Sequence, residues 1–361
     1  MRQKNPLKPF SSDFIRKAEK EFIPISMQFE LSHSCNLNCL HCFLPLRDTD
    51  KEELSTHEVC NILDQLADAG CLFLTLTGGE IFTREDFFII ARYARKKNFA
   101  LRLFTNGTLI TPEVADKVAD LRPLSVEVSV YGVSPAVHDS ITRVAGSFEK
   151  TMKALRLLEQ RNISIALKTP VMKKNVVEYR QVAEMTERLG ASFVCDPKII
   201  PKMDGSEDTL SLRIDDQDLH EVVSAFGRRG LGKSTSRDNR LQSYLCATGK
   251  RTGCISSYGD VFPCALWRIK VGNLREQTLG EIWQDSQLLS DIRFLKLADL
   301  SECANCKFLL YCSPCVGLGL RENHKLTCKS SMTCSIAEIK KSIAEGERIN
   351  SGRERKQGRA D

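Results

Sequence analysis

Apolar and polar positions alternate between two periods along the first two hundred residues. Short apolar runs at 27–32, 71–77, 100–105, 124–130, 163–169 and 191–196 read as strands. Between and after them, stretches with apolar residues three or four apart read as amphipathic helices at 54–70, 85–98, 112–121, 147–161, 176–190 and 215–226. Gly70 closes the first of these helices, and Pro112 sits in the first turn of the third. Six strand–helix units in a row predict parallel strands joined by right-handed crossovers. The order of elements alone fits either a barrel or a doubly wound open sheet. An eight-fold barrel needs two more units, and the chain turns cysteine-rich instead.

The composition sharpens this picture. Of 361 residues, 42% are hydrophobic and 27% charged, which fits a folded globular chain. The formal charge is +6. Residues 1–20 contribute +4 and residues 350–361 +2, so the body is neutral and a nucleic-acid-binding face is not expected. No run approaches the roughly 18 apolar residues of a membrane span, and the N-terminus lacks the apolar core of a secretory signal. A cytoplasmic location is expected. There, 15 cysteines predict metal ligands or reactive thiols rather than disulfides.

Three cysteines, Cys35, Cys39 and Cys42, follow the first strand with C-x3-C-x2-C spacing. Three thiolates so close can share one metal centre, and three leave a coordination position open for chemistry. On spacing alone, a zinc knot completed by His33, His41 or a distant residue is the alternative. The second strand runs into Thr77-Gly78-Gly79-Glu80, a loop at the strand end where parallel α/β folds bind ligands. Paired glycines admit close approach to the backbone, although Gly-Gly alone is as well explained by a tight turn.

In combination these motifs resemble the radical S-adenosylmethionine (SAM) superfamily, over residues 25–200. The resemblance implies a partial (β/α)6 TIM-like barrel within the α/β class. It implies a [4Fe-4S] cluster on Cys35, Cys39 and Cys42, whose fourth iron takes the amino and carboxylate groups of SAM. Gly78, Gly79 and Glu80 would hold the amino group. Reductive cleavage of SAM then yields a 5′-deoxyadenosyl radical that abstracts hydrogen. Ser129, in a Ser129-Val-Tyr-Gly132 segment, and Arg143, after His138-Asp139, resemble the family's residues near the ribose and carboxylate of SAM. His41 stands where relatives usually carry an aromatic residue, and Phe104-Thr-Asn-Gly107 is also typical. Lys168 and Asp196 lie at strand ends where they could face substrate. No catalytic acid or base is assigned.

Nine cysteines follow residue 245. Alone, their C-x2-C pairs would suit zinc ribbons. Beside a radical SAM barrel they resemble the SPASM domain, which holds two auxiliary [4Fe-4S] clusters. Gly259-x4-Cys264 and Cys303-x2-Cys306-x5-Cys312 match its pattern, while Cys315 comes one residue early. The family's scheme assigns Cys246, Cys254, Cys264 and Cys315 to one cluster, and Cys303, Cys306, Cys312 and Cys334 to the other. Cys328 is the spare, and Cys334 immediately precedes a helix start. The expected organisation is an N-terminal extension (1–24), the barrel (25–200), a sixth helix and linker (201–240), the SPASM domain (241–335), and a C-terminal helix with a disordered basic tail (336–361).

Closed four-cysteine sites suit electron relay, hence oxidative chemistry. The family implies a peptide or protein substrate, as in ribosomal peptide maturation, and an electron donor such as flavodoxin or ferredoxin. About 25 residues precede the first strand, so either a separate leader-binding protein or a different mode of recognition is expected. Ala265 follows Cys264 where sulfatase-maturing relatives carry Asp. A haem- or small-molecule-modifying radical enzyme is the enzymatic alternative, and a non-catalytic zinc-binding module the alternative of another class.

Overall fold

Strand β1 (Ser26–Ser32) begins a run of parallel strands in which each pairs with the next: β2 (Phe73–Gly78), β3 (Ala100–Thr105), β4 (Ser125–Ser129), β5 (Ile165–Pro170) and β6 (Ser192–Asp196). This computed structural model describes residues 12–44, 51–226, 236–327 and 329–346. Cys328, the basic C-terminal tail and residues 1–11 of the expected N-terminal extension lie outside the described residues. Helices α1 (Ser12–Lys20), α2 (Thr56–Asp68), α3 (Phe87–Lys96), α4 (Pro112–Leu121), α5 (Pro135–Thr142), α6 (Ser147–Gln160), α7 (Tyr179–Arg188) and α8 (Asp216–Phe226) complete the first part.

Local chemistry fixes the helix starts. Ser55 and Glu58 form a capping box on α2, satisfying two otherwise orphaned donors. Thr111 and Ser134 cap α4 and α5, each followed by proline in the first turn. Helix α5 leaves no mark in the apolar pattern, because its eight residues are too few to show a period. The apolar faces of the crossover helices cover the sheet. Leu63 and Leu66 of α2, Leu74 and Leu76 of β2, Ala154 and Leu158 of α6, and Val126 and Val128 of β4 are all fully buried in one core. Burying each leucine contributes about 2 kcal/mol.

The sheet continues past β1. Strand β7 (Thr252–Ile255) pairs with β1 in parallel, Gln28 opposite Cys254, and the antiparallel strands β8 (Asp260–Phe262) and β9 (Gly272–Asn273) follow. The order is β6-β5-β4-β3-β2-β1-β7-β8-β9. The cysteine-rich part thereby adds strands to the edge of the barrel sheet. Its helices are short: α9 (Arg237–Leu241), α10 (Gln287–Phe294), α11 (Ser301–Ala304) and α12 (Val316–Asn323), before the longer α13 (Ser331–Glu345). Cys334 does not precede α13, as the sequence suggested, but lies in its first turn, because Ser330 is the cap. Among the described residues no helix is long and apolar enough to cross a membrane.

Candidate active site at the mouth of the barrel

The C-terminal ends of β1–β5 surround a cavity of about 840 Å³. Its floor is the loop 33–44, which carries Cys35, Cys39 and Cys42 to the cavity wall. The loop's backbone is docked from two sides. Asn38 and Leu40 donate N–H bonds of 3.1 and 2.9 Å to the carbonyls of Thr142 and Ile141, groups in the last turn of α5 with no intrahelical partner. From the other side, Gly79 N donates to Ser32 O at 2.7 Å and Glu80 N to Ser34 O at 2.9 Å. A Cβ on Gly78 would collide with Ser32 O, and one on Gly79 would lie 2.7 Å from the Ser34 carbonyl carbon and 2.9 Å from His33 O. The two glycines are thus required by the cysteine loop itself, besides lining the cavity.

Glu80 does not line the cavity. Its carboxylate is fully buried, accepting from Thr105 Oγ1 (2.7 Å), Asn106 N (2.7 Å) and Phe82 N (3.3 Å), and burial pushes its pKa up to about 7. It joins the end of β2 to the end of β3 beneath the cavity. Asn106, in the Phe104–Gly107 segment, carries no role that its sequence position alone reveals. Its amide donates to Asn36 Oδ1 at 2.9 Å and lies 3.9 Å from Cys35 Sγ.

Ser129 and Arg143 both face the cavity, from the end of β4 and the C-cap of α5. Arg143 adopts a left-handed conformation (φ 60°) that turns the chain out of the helix. Buried Tyr131 is hydrogen-bonded to Ser129 and lies 3.9 Å from Cys39 Sγ. His41 packs edge-on against Tyr131, their ring centroids 5.0 Å apart, and burial lowers its pKa to about 4. A neutral imidazole here serves as an aromatic surface, in keeping with the position. His138 also packs against Tyr131, their ring centroids 5.2 Å apart, while Asp139 caps α6 by accepting from Gly146 N and Phe148 N. Of the two strand-end candidates, Lys168 lines the cavity, 3.2 Å from Glu127 and over the Phe104 ring. Asp196 pairs with Lys198 instead and is not among the lining residues.

The later cysteines gather into two groups. Cys312 lies within the electrostatic reach of Cys334, Cys303 and Cys306. Cys315 is in the same relation to Cys264 and Cys246, and Cys254 to Cys264. Burial pushes Cys39 and Cys312 up to about 12 and Cys254 well above its usual range. Thiols this buried ionise only against a bound cation, and sulfur donors select iron clusters, zinc or copper(I). Zinc would draw its sulfurs to within about 4 Å of one another, given Zn–S bonds of about 2.3 Å. Among the described residues no three His, Cys, Asp or Glu side chains converge tightly enough to hold a single ion. Four sulfur donors in one group suit a polynuclear cluster, in which each iron takes one protein ligand.

Comparison with known proteins agrees with this geometry. The radical SAM superfamily model matches residues 29–185, and the SPASM iron–sulfur cluster-binding domain model matches residues 246–307. The AdoMet-dependent heme synthase of Methanosarcina barkeri is 29% identical over 322 residues, covering 81% of this chain and 91% of its own. The mycofactocin maturase MftC of Mycolicibacterium smegmatis is 30% identical over 299 residues, covering 78% and 75%. Among solved structures, Streptococcus suis SuiB bound to its precursor peptide SuiA aligns over 89% of this chain and 80% of that one, with a TM-score of 0.69 at 17% identity.

Proposed function

Given that this chain belongs to the radical SAM superfamily and carries a SPASM iron–sulfur domain, we propose that it oxidatively modifies a peptide substrate at the mouth of its barrel. Its cofactors are SAM and [4Fe-4S] clusters. When bound, SAM and its cluster would supply the means to take hydrogen from an unactivated C–H bond, and auxiliary clusters would supply a place for the substrate's second electron. In this reading Cys35, Cys39 and Cys42 hold the first cluster. Cys246, Cys254, Cys264 and Cys315 hold the second, and Cys303, Cys306, Cys312 and Cys334 the third. The backbone of Gly78 and Gly79 receives the SAM ammonium, with Glu80 fixing that loop from below. Ser129 meets the ribose and Arg143 the carboxylate. Tyr131 and His41 pack against one another beside the cysteine loop, Tyr131 reaching Cys39.

The observation that carries the peptide reading is the charge balance of the cavity. Once Arg143 is committed to SAM, Lys168 and Lys202 face Glu127, Asp204 and Asp208 among the described lining residues. Such a wall has no excess of cations for a tetrapyrrole bearing several carboxylates, and it suits a peptide of mixed polarity. Similarity to MftC supports the same reading. The second reading, a tetrapyrrole substrate, is favoured by the extent of similarity to the heme synthase, 91% of whose length is matched.

Anaerobically reconstituted protein with SAM and reductant, offered candidate precursor peptides or iron porphyrins, decides between them. The peptide reading expects 5′-deoxyadenosine formation to rise with a peptide whose mass falls by two hydrogens. Stimulation by porphyrins alone would overturn it.

A further inference from the structure

Strand β1 joins the two halves of the enzyme through more than its backbone. Its register with β7 sets Gln28 opposite Cys254, so Glu30, two residues on, presents its side chain on the same face. Glu30 is buried, and its carboxylate pairs with the Arg268 guanidinium. The other carboxylate oxygen lies 3.5 Å from His33 Nε2, and His33 lines the active-site cavity. Arg268 is held rigidly, donating from Nε to Ala265 O at 3.0 Å and stacking over the Phe262 ring at 4.7 Å. Both charges act directly on the first auxiliary group: Cys254 feels Glu30 and Arg268, and Arg268 in turn feels Cys264.

A buried ion pair of this kind is a poor source of stability, because desolvation consumes most of the attraction and an apolar pair of similar volume packs as well. Its neighbours on β1, Met27, Phe29 and Leu31, are apolar. The pair's distinctive property is therefore its field at the nearby sulfurs.

We propose that Glu30 and Arg268 are positioning residues that poise the reduction potential of the site formed by Cys246, Cys254, Cys264 and Cys315. The guanidinium favours the reduced state of that site, which carries one more negative charge. The carboxylate opposes it. One electron enters, nothing leaves, and the fixed charges set how readily it is taken. The inference rests on the reading that these four cysteines hold an auxiliary cluster.

The test is a potentiometric titration of the full-length, fully reconstituted protein with dithionite and mediators, followed by electron paramagnetic resonance. Three variants are compared with the parent: Arg268→Gln, Glu30→Gln and the double substitution. Removing the positive charge should lower the equilibrium constant for reduction about tenfold, a shift of about −59 mV for one electron. Removing the negative charge should raise it by a similar factor. The double variant, whose pair has the same net charge as the native one, should return to within about threefold of the parent. Unmoved potentials, shifts of the same sign in both single variants, or a double variant that does not cancel would overturn the proposal. If Arg268→Gln fails to take up iron, the Glu30→Gln and double-variant potentials still decide it. If the parent protein's iron and spectra show no auxiliary cluster on these cysteines, the underlying reading fails, and the proposal with it. That outcome is distinct from a cluster present but indifferent to the charges.

Discussion

Substituting alanine for Gly79 tests the packing of the cysteine loop against the strand end. Gly79 has no left-handed backbone conformation to lose, so the effect is steric. Its new Cβ would sit 2.7 Å from the Ser34 carbonyl carbon and 2.9 Å from His33 O, inside the separation real Cβ atoms tolerate. Both obstacles are backbone, so the loop must move as a unit. The bonds from Gly79 N to Ser32 O (2.7 Å) and from Glu80 N to Ser34 O (2.9 Å) are the first casualties. Losing two such bonds and leaving their partners poorly satisfied costs about 2–4 kcal/mol, or about 30- to 700-fold in assembly of the site. The assay is iron content with 5′-deoxyadenosine formation. Gly79→Ala should lose about four irons, one cubane cluster, together with SAM cleavage, while the auxiliary clusters remain. Gly146→Ala is the control. Nothing lies within 4 Å of its Cβ, so only a backbone cost of about 1 kcal/mol applies at φ 77°. Full iron and activity in Gly79→Ala would refute the argument.

Cys334→Ser should also lose about four irons, because Cys334 stands with Cys303, Cys306 and Cys312, whereas Cys328→Ser should lose none; iron analysis of both checks the choice. Arg143→Met should raise the SAM concentration for half-maximal 5′-deoxyadenosine formation about 10- to 150-fold, the value of a charge-assisted hydrogen bond. Glu80 predicts a pH dependence. Its folded pKa is raised to about 7 from 4.5, so its contribution is most favourable below about 4.5 and is lost as pH rises through 7. Protein free of cluster and SAM should lose about 3 kcal/mol of stability across that range, and Glu80→Gln should flatten the slope in urea unfolding.

The barrel strands and the cysteine motifs were legible because each is a local pattern: a period of two or 3.6, or a fixed spacing of ligands. What stayed hidden depends on partners distant in sequence. Asn106 meets Cys35 and Asn36 only because β3 lies beside β2, which lies beside β1. Glu30 reads as an ordinary polar position in an alternating strand until Arg268, 238 residues later, is folded onto it. The tightness of Gly78 and Gly79 against Ser32 and Ser34 was likewise invisible. The sequence pointed to a ligand, while the structure adds the neighbouring backbone. Glu80 shows a similar division. Its motif suggested a ligand contact, and the structure adds bonds to its oxygens from Thr105, Asn106 and Phe82.

The pairing of β1 with β7 has a consequence for how the chain emerges from the ribosome. Ser26 finds its partner at Thr252, 226 residues later. At about 5–20 residues per second, that wait is roughly 11–45 s. Throughout it, one edge of β1 offers unpaired amides and carbonyls, an open template for other chains. Cys35, Cys39 and Cys42 are on hand for the same interval, directly after that unfinished edge. The nascent enzyme is most exposed to aggregation and to misplaced metal during this window, which closes when the second half of the sequence arrives.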